Sequence, residues 1–194
     1  MDNRPDAIAR RYQEFFSYLE KLKHIPRTGW MRDGVPHPES VAEHSFKAAL
    51  IAMVLADSLK IRINKGKLMK MALIHDVGES IIGDLTPYTK KGLRIPKLTA
   101  RKHKIELQAI KKIFGGIPNG SEYIKLFEEF EAGRTNESKI FGQIDKLEMV
   151  FQAAEYERKH GLTLNTYFSS GDAYIYTKEL RLLFEDTMKN RRKR

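Results

Sequence analysis

The chain has 194 residues and a mass of 22.5 kDa, which is the size of one folded domain. Its 41% hydrophobic residues can build a core and exclude general disorder. The absence of cysteine excludes disulfide scaffolds, thiolate zinc sites and thiol catalysis.

The chain carries 35 Lys and Arg against 25 Asp and Glu, a net charge of +10, which favours an anionic partner. Apolar stretches are far shorter than the roughly 20 residues of a spanning helix, and the charged start lacks a signal-peptide pattern. We therefore expect a soluble cytoplasmic protein.

The spacing of apolar residues predicts helices joined by short loops. A first helix is predicted from Pro5 through Leu19, since proline suits a first turn and the apolar side chains recur every three or four residues. Glycines and prolines predict a loop over 24–38, followed by a long helix over about 39–60. Asn64 is the predicted N-cap of a helix that runs to His75. Further helices are predicted over about 98–114, 121–131, 137–160 and 172–190. No alternating strand pattern appears, so the sequence predicts an all-α, multi-helix single domain over 1–194.

Four side chains that can bind a metal interrupt these apolar helix faces, namely His44, His75, Asp76 and Asp145. Taken singly, each is more often a hydrogen-bonded core histidine or a paired aspartate, and Lys146 or Lys139 could pair with the last of them. An unpaired carboxylate in such surroundings is costly. Together, two imidazoles and two carboxylates suit a divalent Mn, Fe, Co, Ni or Zn ion and leave positions for water and substrate.

The order of these residues resembles the H…HD…D signature of the HD-domain metal-dependent phosphohydrolases. Several segments resemble the 5′-deoxynucleotidase branch: Glu43-His44-Ser45, His75-Asp76-Val77-Gly78-Glu79, Gly83-Asp84-Leu85-Thr86-Pro87, Asp145-Lys146-Leu147-Glu148 and the loop Pro26-Arg27-Thr28-Gly29-Trp30. Eukaryotic and archaeal members share the last of these patterns. The resemblance covers about 12–157 and leaves the C-terminal helix and the basic tail outside it.

This resemblance implies an HD-domain helical bundle with one divalent metal ion, either Mn, Co, Ni, Zn or Fe. The implied ligands are His44, His75, Asp76 and Asp145. The implied reaction hydrolyses deoxyribonucleoside 5′-monophosphates to the deoxyribonucleoside and phosphate, and a homodimer is expected as well. When bound, such an ion makes hydroxide available near neutral pH and polarises a phosphate oxygen. Activity should fall in acid because the ligand imidazoles must be neutral.

Glu79 and Asp84 supply two more carboxylates after the His-Asp pair. If the helix persists through Gly78, Glu79 lies beside the ligands, three residues after Asp76. It is then a candidate to orient the water, to deprotonate it or to protonate the leaving group, and the alternative is an exposed surface glutamate. The resemblance favours a functional Asp84, in substrate contact or proton transfer, whereas a loop aspartate often caps the turn that follows it.

Arg27 and Trp30 are the candidates for binding the substrate. A guanidinium can hold two oxygens of a phosphomonoester at once, and Gly29 lets the loop bend around a ligand. The only tryptophan of the chain either packs over a sugar or base or anchors the loop in the core. The resemblance implies that the arginine binds phosphate and that the tryptophan helps to select the sugar. Some bacterial members place the tryptophan directly after the arginine, whereas here it comes three residues later.

Two other functions remain open at this point. HD proteins also hydrolyse nucleoside triphosphates, cyclic nucleotides and alarmones. A basic helical module that binds nucleic acid is the alternative of another class, supported by the net charge and the tail Arg191-Arg192-Lys193-Arg194. We disfavour it because the chain lacks RNP-type strands, zinc-finger spacing and a helix-turn-helix pattern. The basic stretch from Lys90 to Lys104 is expected at the rim of the pocket, where it would raise the local concentration of nucleotide. No lysine of the 90–104 stretch is assigned a catalytic role.

Overall fold

A computed structural model describes residues 4–86 and 96–192, and side chains in the second range from 101 to 191. The helices of these residues are α1 (Pro5–Leu22), α2 (Thr28–Arg32), α3 (Val41–Leu55), α4 (Lys65–Ile74), α5 (Glu79–Ile82), α6 (Pro96–Phe114), α7 (Gly120–Ala132), α8 (Asn136–His160), α9 (Asn165–Tyr174) and α10 (Lys178–Arg192). Within the described ranges the one β-type pairing is an isolated bridge between Pro26 and Ser40. The predicted all-α class is confirmed. None of the described helices is both long and apolar enough to cross a bilayer.

Local sequence signals set several helix starts. Pro5 occupies the first turn of α1, and the side chain of Asn64 accepts a hydrogen bond from the Lys67 amide, as expected of the N-cap of α4. A capping box starts α3: the Ser40 hydroxyl accepts from the Glu43 amide, while the Glu43 carboxylate accepts from the Ser40 amide. This box fixes the helix register that carries His44 inward.

Three predicted boundaries are wrong. The predicted 24–38 loop contains α2, because a distant carboxylate caps that short helix, as described below. The predicted 39–60 helix ends at Leu55, where a turn over 56–58 brings Leu59 back into the core. The predicted 172–190 helix is divided between α9 and α10.

Gln143 explains the division of the C-terminal helix. Its side-chain carbonyl accepts hydrogen bonds from the amides of Tyr176 and Thr177, at 2.9 and 2.7 Å. These bonds hold the chain between α9 and α10 in a non-helical conformation and bury Ile175. Further along the chain, Arg191 of the basic tail forms an ion pair with Glu157 of α8.

Helix α8 is the centre of the core. Its buried residues lie all round the helix, and α3, α4, α7, α9 and α10 pack against it. Because α3 and α4 pack on each other as well as on α8, these three helices meet along one line. His44 on α3, His75 at the end of α4 and Asp145 on α8 therefore face one another.

Candidate active site

Ring nitrogens of His44 and His75 lie close to carboxylate oxygens of Asp76 and Asp145, and these four residues are the predicted ligands. The Nε2 atom of His44 lies 3.3 Å from Nε2 of His75, 3.1 Å from Oδ1 of Asp145 and 3.7 Å from Oδ2 of Asp76. His75 Nε2 lies 3.1 Å from that Asp76 oxygen and 4.0 Å from the Asp145 oxygen. Ligand atoms about 2.1 Å from a common ion lie about 3.0 Å apart at right angles and about 4.2 Å apart when opposite. The observed spacings fall in that interval.

In both imidazoles the Nδ1 atom has a hydrogen-bond partner, and the Nε2 atom faces the other predicted ligands. His44 Nδ1 lies 2.6 Å from Oε2 of the fully buried Glu148, and His75 Nδ1 lies 2.9 Å from the carbonyl oxygen of Ala72. Each Nδ1–H can donate to its acceptor, so the lone pair of Nε2 is available to a metal. A carboxylate behind a ligand histidine is the usual outer partner of metal sites.

Both aspartates favour the ionised form that a metal ligand needs. Burial opposes ionisation of Asp76, but His75 and the Arg27 guanidinium lower its pKa. Burial likewise opposes ionisation of Asp145, but Lys146 and His44 hold its pKa well below the usual value. Lys146 contacts only the Oδ2 side of Asp145, at 2.9 Å, so the predicted ion pair exists while Oδ1 faces the histidines. The donor set of two nitrogens and two oxygens fits a divalent ion.

The carboxylates around His44 favour the protonated form of its imidazole. Burial and the nearby Arg27 charge lower its pKa, but the carboxylates of Asp145 and Glu148 outweigh both and raise it to about 9. A divalent ion would replace the proton on Nε2 as the positive charge among these carboxylates.

Arg27 lies directly beside the ligands. Its Nη1 donates to Asp76 Oδ2 at 2.7 Å, and its Nε lies 4.0 Å from Asp84 Oδ2. The same Asp84 oxygen accepts the Thr28 amide at 2.7 Å, and the Thr28 hydroxyl donates to the Asp84 carbonyl at 2.6 Å. Asp84 thus caps α2, a helix 56 residues earlier in the chain, rather than the turn that follows it. This double link fixes the loop that carries the guanidinium.

Glu79 is buried next to the ligands, which excludes the exposed-surface alternative. The chain continues past His75 through tight turns rather than α-helix, and α5 begins at Glu79, whose side chain is 1% exposed. Burial, followed by the charges of Asp76 and Asp84, raises its pKa well above the usual value against the opposing charge of Lys102. These effects favour the protonated form of a carboxyl that lies at the edge of the cluster of predicted ligands.

Trp30 is part of the core and also lines the cavity. Its indole N–H donates to Glu39 at 3.0 Å, and its ring stacks on Tyr167 of α9 with centroids 4.1 Å apart. The Tyr167 hydroxyl donates to Asp33 at 2.7 Å. Gly29 lies against this tyrosine, since an added Cβ would be 3.0 Å from its hydroxyl oxygen. The two alternatives for the tryptophan are therefore compatible: it anchors the loop and forms a wall.

One cavity of about 250 Å³ joins these groups. Its lining includes Arg27, Trp30, His75, Asp76, Glu79, Asp84, Lys102, Asp145 and Tyr167. His44 lies beneath it, fully buried. Every predicted site residue is thus in the cavity wall or directly behind it.

Sequence reasoning missed three residues of this site. Glu148 lies in a quoted motif but was assigned no role, and Tyr167 lies in the first part of α9, before the predicted 172–190 helix. Lys102 belongs to the basic stretch; Lys90, Lys91 and Arg94 of that stretch, and Pro87 of the Gly83–Pro87 segment, lie outside the described residues. Only Glu148 had a usable signal, because it falls three residues after Asp145 on the same helix face.

Comparisons with known proteins identify the family of this chain. The HD domain family model matches residues 19–179. The 5′-deoxynucleotidase HDDC2 of Homo sapiens is 36% identical over 182 residues, which cover 91% of this chain and 85% of the human protein. The protein of that name from Dictyostelium discoideum is 39% identical over 171 residues, covering 82% of this chain and 87% of its own.

Solved structures share the fold. A conserved hypothetical protein from Pyrococcus furiosus has a TM-score of 0.73 at 34% identity, over 91% of this chain and 98% of its own. A Magnetospirillum magnetotacticum protein described as a predicted metal-dependent phosphohydrolase has a TM-score of 0.72 at 25% identity, over 100% of this chain and 97% of its own. Because the HD domain family model matches most of this chain, the chain belongs to the HD-domain family.

Proposed function

We propose that this protein is a metal-dependent 5′-deoxynucleotidase, which hydrolyses deoxyribonucleoside 5′-monophosphates to the deoxyribonucleoside and phosphate. The observation that carries the proposal is the convergence of His44 Nε2, His75 Nε2 and the two aspartate carboxylates beside Arg27 in one cavity. The relatives named 5′-deoxynucleotidase support the choice of substrate.

The proposed metal ligands are His44, His75, Asp76 and Asp145, and the ion is Mn, Fe, Co, Ni or Zn, all of which accept imidazole and carboxylate. When bound, the ion lowers the pKa of water and polarises a phosphate oxygen. Arg27 lies at hydrogen-bond distance from one of these ligands, so its guanidinium can bind phosphate oxygens next to the ion. Its fixed charge stabilises the negative charge that spreads over the phosphoryl group during transfer.

Glu79 is the proposed general acid. The water oxygen forms a bond to phosphorus while the bond from phosphorus to the 5′ oxygen breaks, and its electron pair stays on that oxygen. The Glu79 carboxyl, whose pKa is raised well above the usual value by burial, gives its proton to the departing oxygen. Of the two protons of the water, one restores the Glu79 carboxyl for the next turnover and the other stays on the phosphate product.

Asp84 and Trp30 prepare the site for the nucleotide. Asp84 fixes the first turn of α2 and hence the position of Arg27. Asp84 also lines the cavity, where substrate would contact it. The stacked rings of Trp30 and Tyr167 form a flat, rigid wall suited to a sugar or a base. Because the tryptophan is buried and held by Glu39, its surface cannot retreat to admit a bulkier sugar.

A homodimer and a cytoplasmic location stay predictions. The surface that we propose for the dimer is the outer face of α3, where Phe46, Leu50 and Val54 are exposed at helical spacing. Phe46→Glu should convert a dimer to a monomer in light-scattering chromatography. An unchanged mass, or a monomeric wild type, would contradict this.

The test of the proposed function is turnover of dAMP, AMP and dATP side by side after reconstitution with each metal. We expect phosphate release from dAMP, and its loss in His75→Ala. Turnover only of triphosphates or cyclic phosphodiesters would favour the other HD reactions. Salt-sensitive nucleic-acid binding that disappears on removal of residues 189–194, without any turnover, would favour the basic binding module.

A further inference from the structure

A partly buried lysine lies between two buried glutamates at the edge of the cavity. Lys102 Nζ on α6 lies 3.2 Å from Oε1 of Glu106, one turn further along the helix, and 3.5 Å from Oε1 of Glu79. Its side chain is 21% exposed, whereas those of Glu79 and Glu106 are 1% and 7% exposed. The three side chains thus form a row that ends at the carboxyl beside the metal ligands.

Glu79 depends on this row for its orientation. Neither carboxyl oxygen of Glu79 has a hydrogen-bond partner among the described residues. Of the cations whose side chains the structure describes, only Lys102 lies within 4.0 Å of it. A buried carboxyl that no hydrogen bond fixes can rotate, and proton transfer is sensitive to such displacement.

Glu106 holds the lysine in place. Because it lies four residues after Lys102 on α6, its carboxylate and the ammonium are neighbours on one helix face. The ammonium has three donors, so it can bind Glu106 and still approach Glu79. A separation of 3.5 Å is longer than a hydrogen bond, and such contacts in ligand-free sites shorten when substrate closes around them.

We propose that Lys102 is a positioning residue, which turns the Glu79 carboxyl toward the leaving group and is itself held by Glu106. The inference rests on the proposed function, because it assigns Lys102 a role through the proposed general acid. Direct binding of substrate phosphate by Lys102 is the competing role, and kinetics separate the two.

The test compares Lys102→Met, Lys102→Arg and Glu106→Gln in the full chain, with Lys104→Met as the control on an exposed position of the same helix. We expect Lys102→Met to lower kcat for dAMP about 10- to 100-fold with little change in KM. Lys102→Arg should recover most of the loss, Glu106→Gln should give a smaller loss, and Lys104→Met should match the wild type.

A double-variant comparison tests whether Lys102 acts through Glu79. Adding Lys102→Met to Glu79→Gln should cost nothing further, since the group that the lysine positions is already gone. Independent, multiplied losses would overturn the proposal, as would a raised KM with unchanged kcat in Lys102→Met. Should Lys102→Met fail to fold, as judged by melting and metal content, wild-type kcat in Glu106→Gln would overturn it instead. A wild-type protein without dAMP turnover would refute the proposed function and the role of Lys102 with it, whereas an active wild type with an equally active Lys102→Met variant would overturn the role of Lys102 alone.

Discussion

Replacement of Glu148 by glutamine should weaken metal binding without removing a ligand. Glu148 Oε2 lies 2.6 Å from His44 Nδ1, and Lys47 Nζ lies 2.7 Å from its other oxygen. Glutamine can accept the imidazole N–H through its carbonyl, but its amide group then faces the ammonium of Lys47. The variant therefore loses the charge-assisted bond that orients His44 and raises its basicity.

The expected magnitude follows from the burial of this pair. Loss of an outer partner of a metal ligand costs about 10- to 100-fold in affinity, or about 1.4–2.7 kcal/mol. We expect the upper part of this range because both side chains are fully buried and water cannot replace the carboxylate. Titration calorimetry with Mn²⁺ or Zn²⁺ measures the affinity directly.

A matched control and a rescue separate this effect from unfolding. Glu155→Gln changes a half-exposed glutamate on the same helix, paired with Arg158, and should bind metal as the wild type does. Excess metal should restore much of the dAMP turnover of Glu148→Gln. Wild-type metal affinity in a folded Glu148→Gln protein would refute the reasoning that Glu148 sets the ligand character of His44.

Three further predictions follow from the same geometry. Because the pKa of His44 is raised to about 9 in the metal-free protein, the imidazole is protonated below that pH; metal binding should then release a proton, and affinity should fall as the pH falls. Calorimetry in buffers of different ionisation enthalpy counts the proton, and zero release would contradict the assignment. Asp84→Ala removes the acceptor for the first amide of α2 and frees Arg27, so kcat/KM for dAMP should fall about 10- to 100-fold while metal stoichiometry stays unchanged; unaltered kinetics would exclude the positioning role. Gly29→Ala places a Cβ 3.0 Å from the hydroxyl oxygen of Tyr167 and should lower the free energy of unfolding by about 1–3 kcal/mol, measured in urea; full stability would show that the ring can move aside.

The cluster of predicted ligands could be found in the sequence because these polar residues interrupt apolar helix faces. His44 and Asp145 occupy positions where helix periodicity calls for apolar residues, and a buried polar group needs a partner. Caps such as Asn64 were predictable for a related reason: the capping side chain and the amide that it binds are three residues apart.

The missed features depend on contacts between residues far apart in sequence. The capping of α2 by Asp84 joins residues 56 positions apart, and the break before α10 depends on Gln143, which lies 33 residues before Tyr176. Lys102 looks like any lysine of a basic stretch until folding places it beside Glu79. Local patterns carry no information on such pairs, so neither the boundaries nor the positioning residues followed from them.

The central claim is that one divalent ion binds between α3, α4 and α8. Crystals soaked with Mn²⁺ and measured at the manganese absorption edge test it most directly. We expect one strong anomalous peak within about 2.2 Å of His44 Nε2, His75 Nε2 and a carboxylate oxygen of each of Asp76 and Asp145. A fully occupied ion elsewhere, with these four side chains unligated, would contradict it.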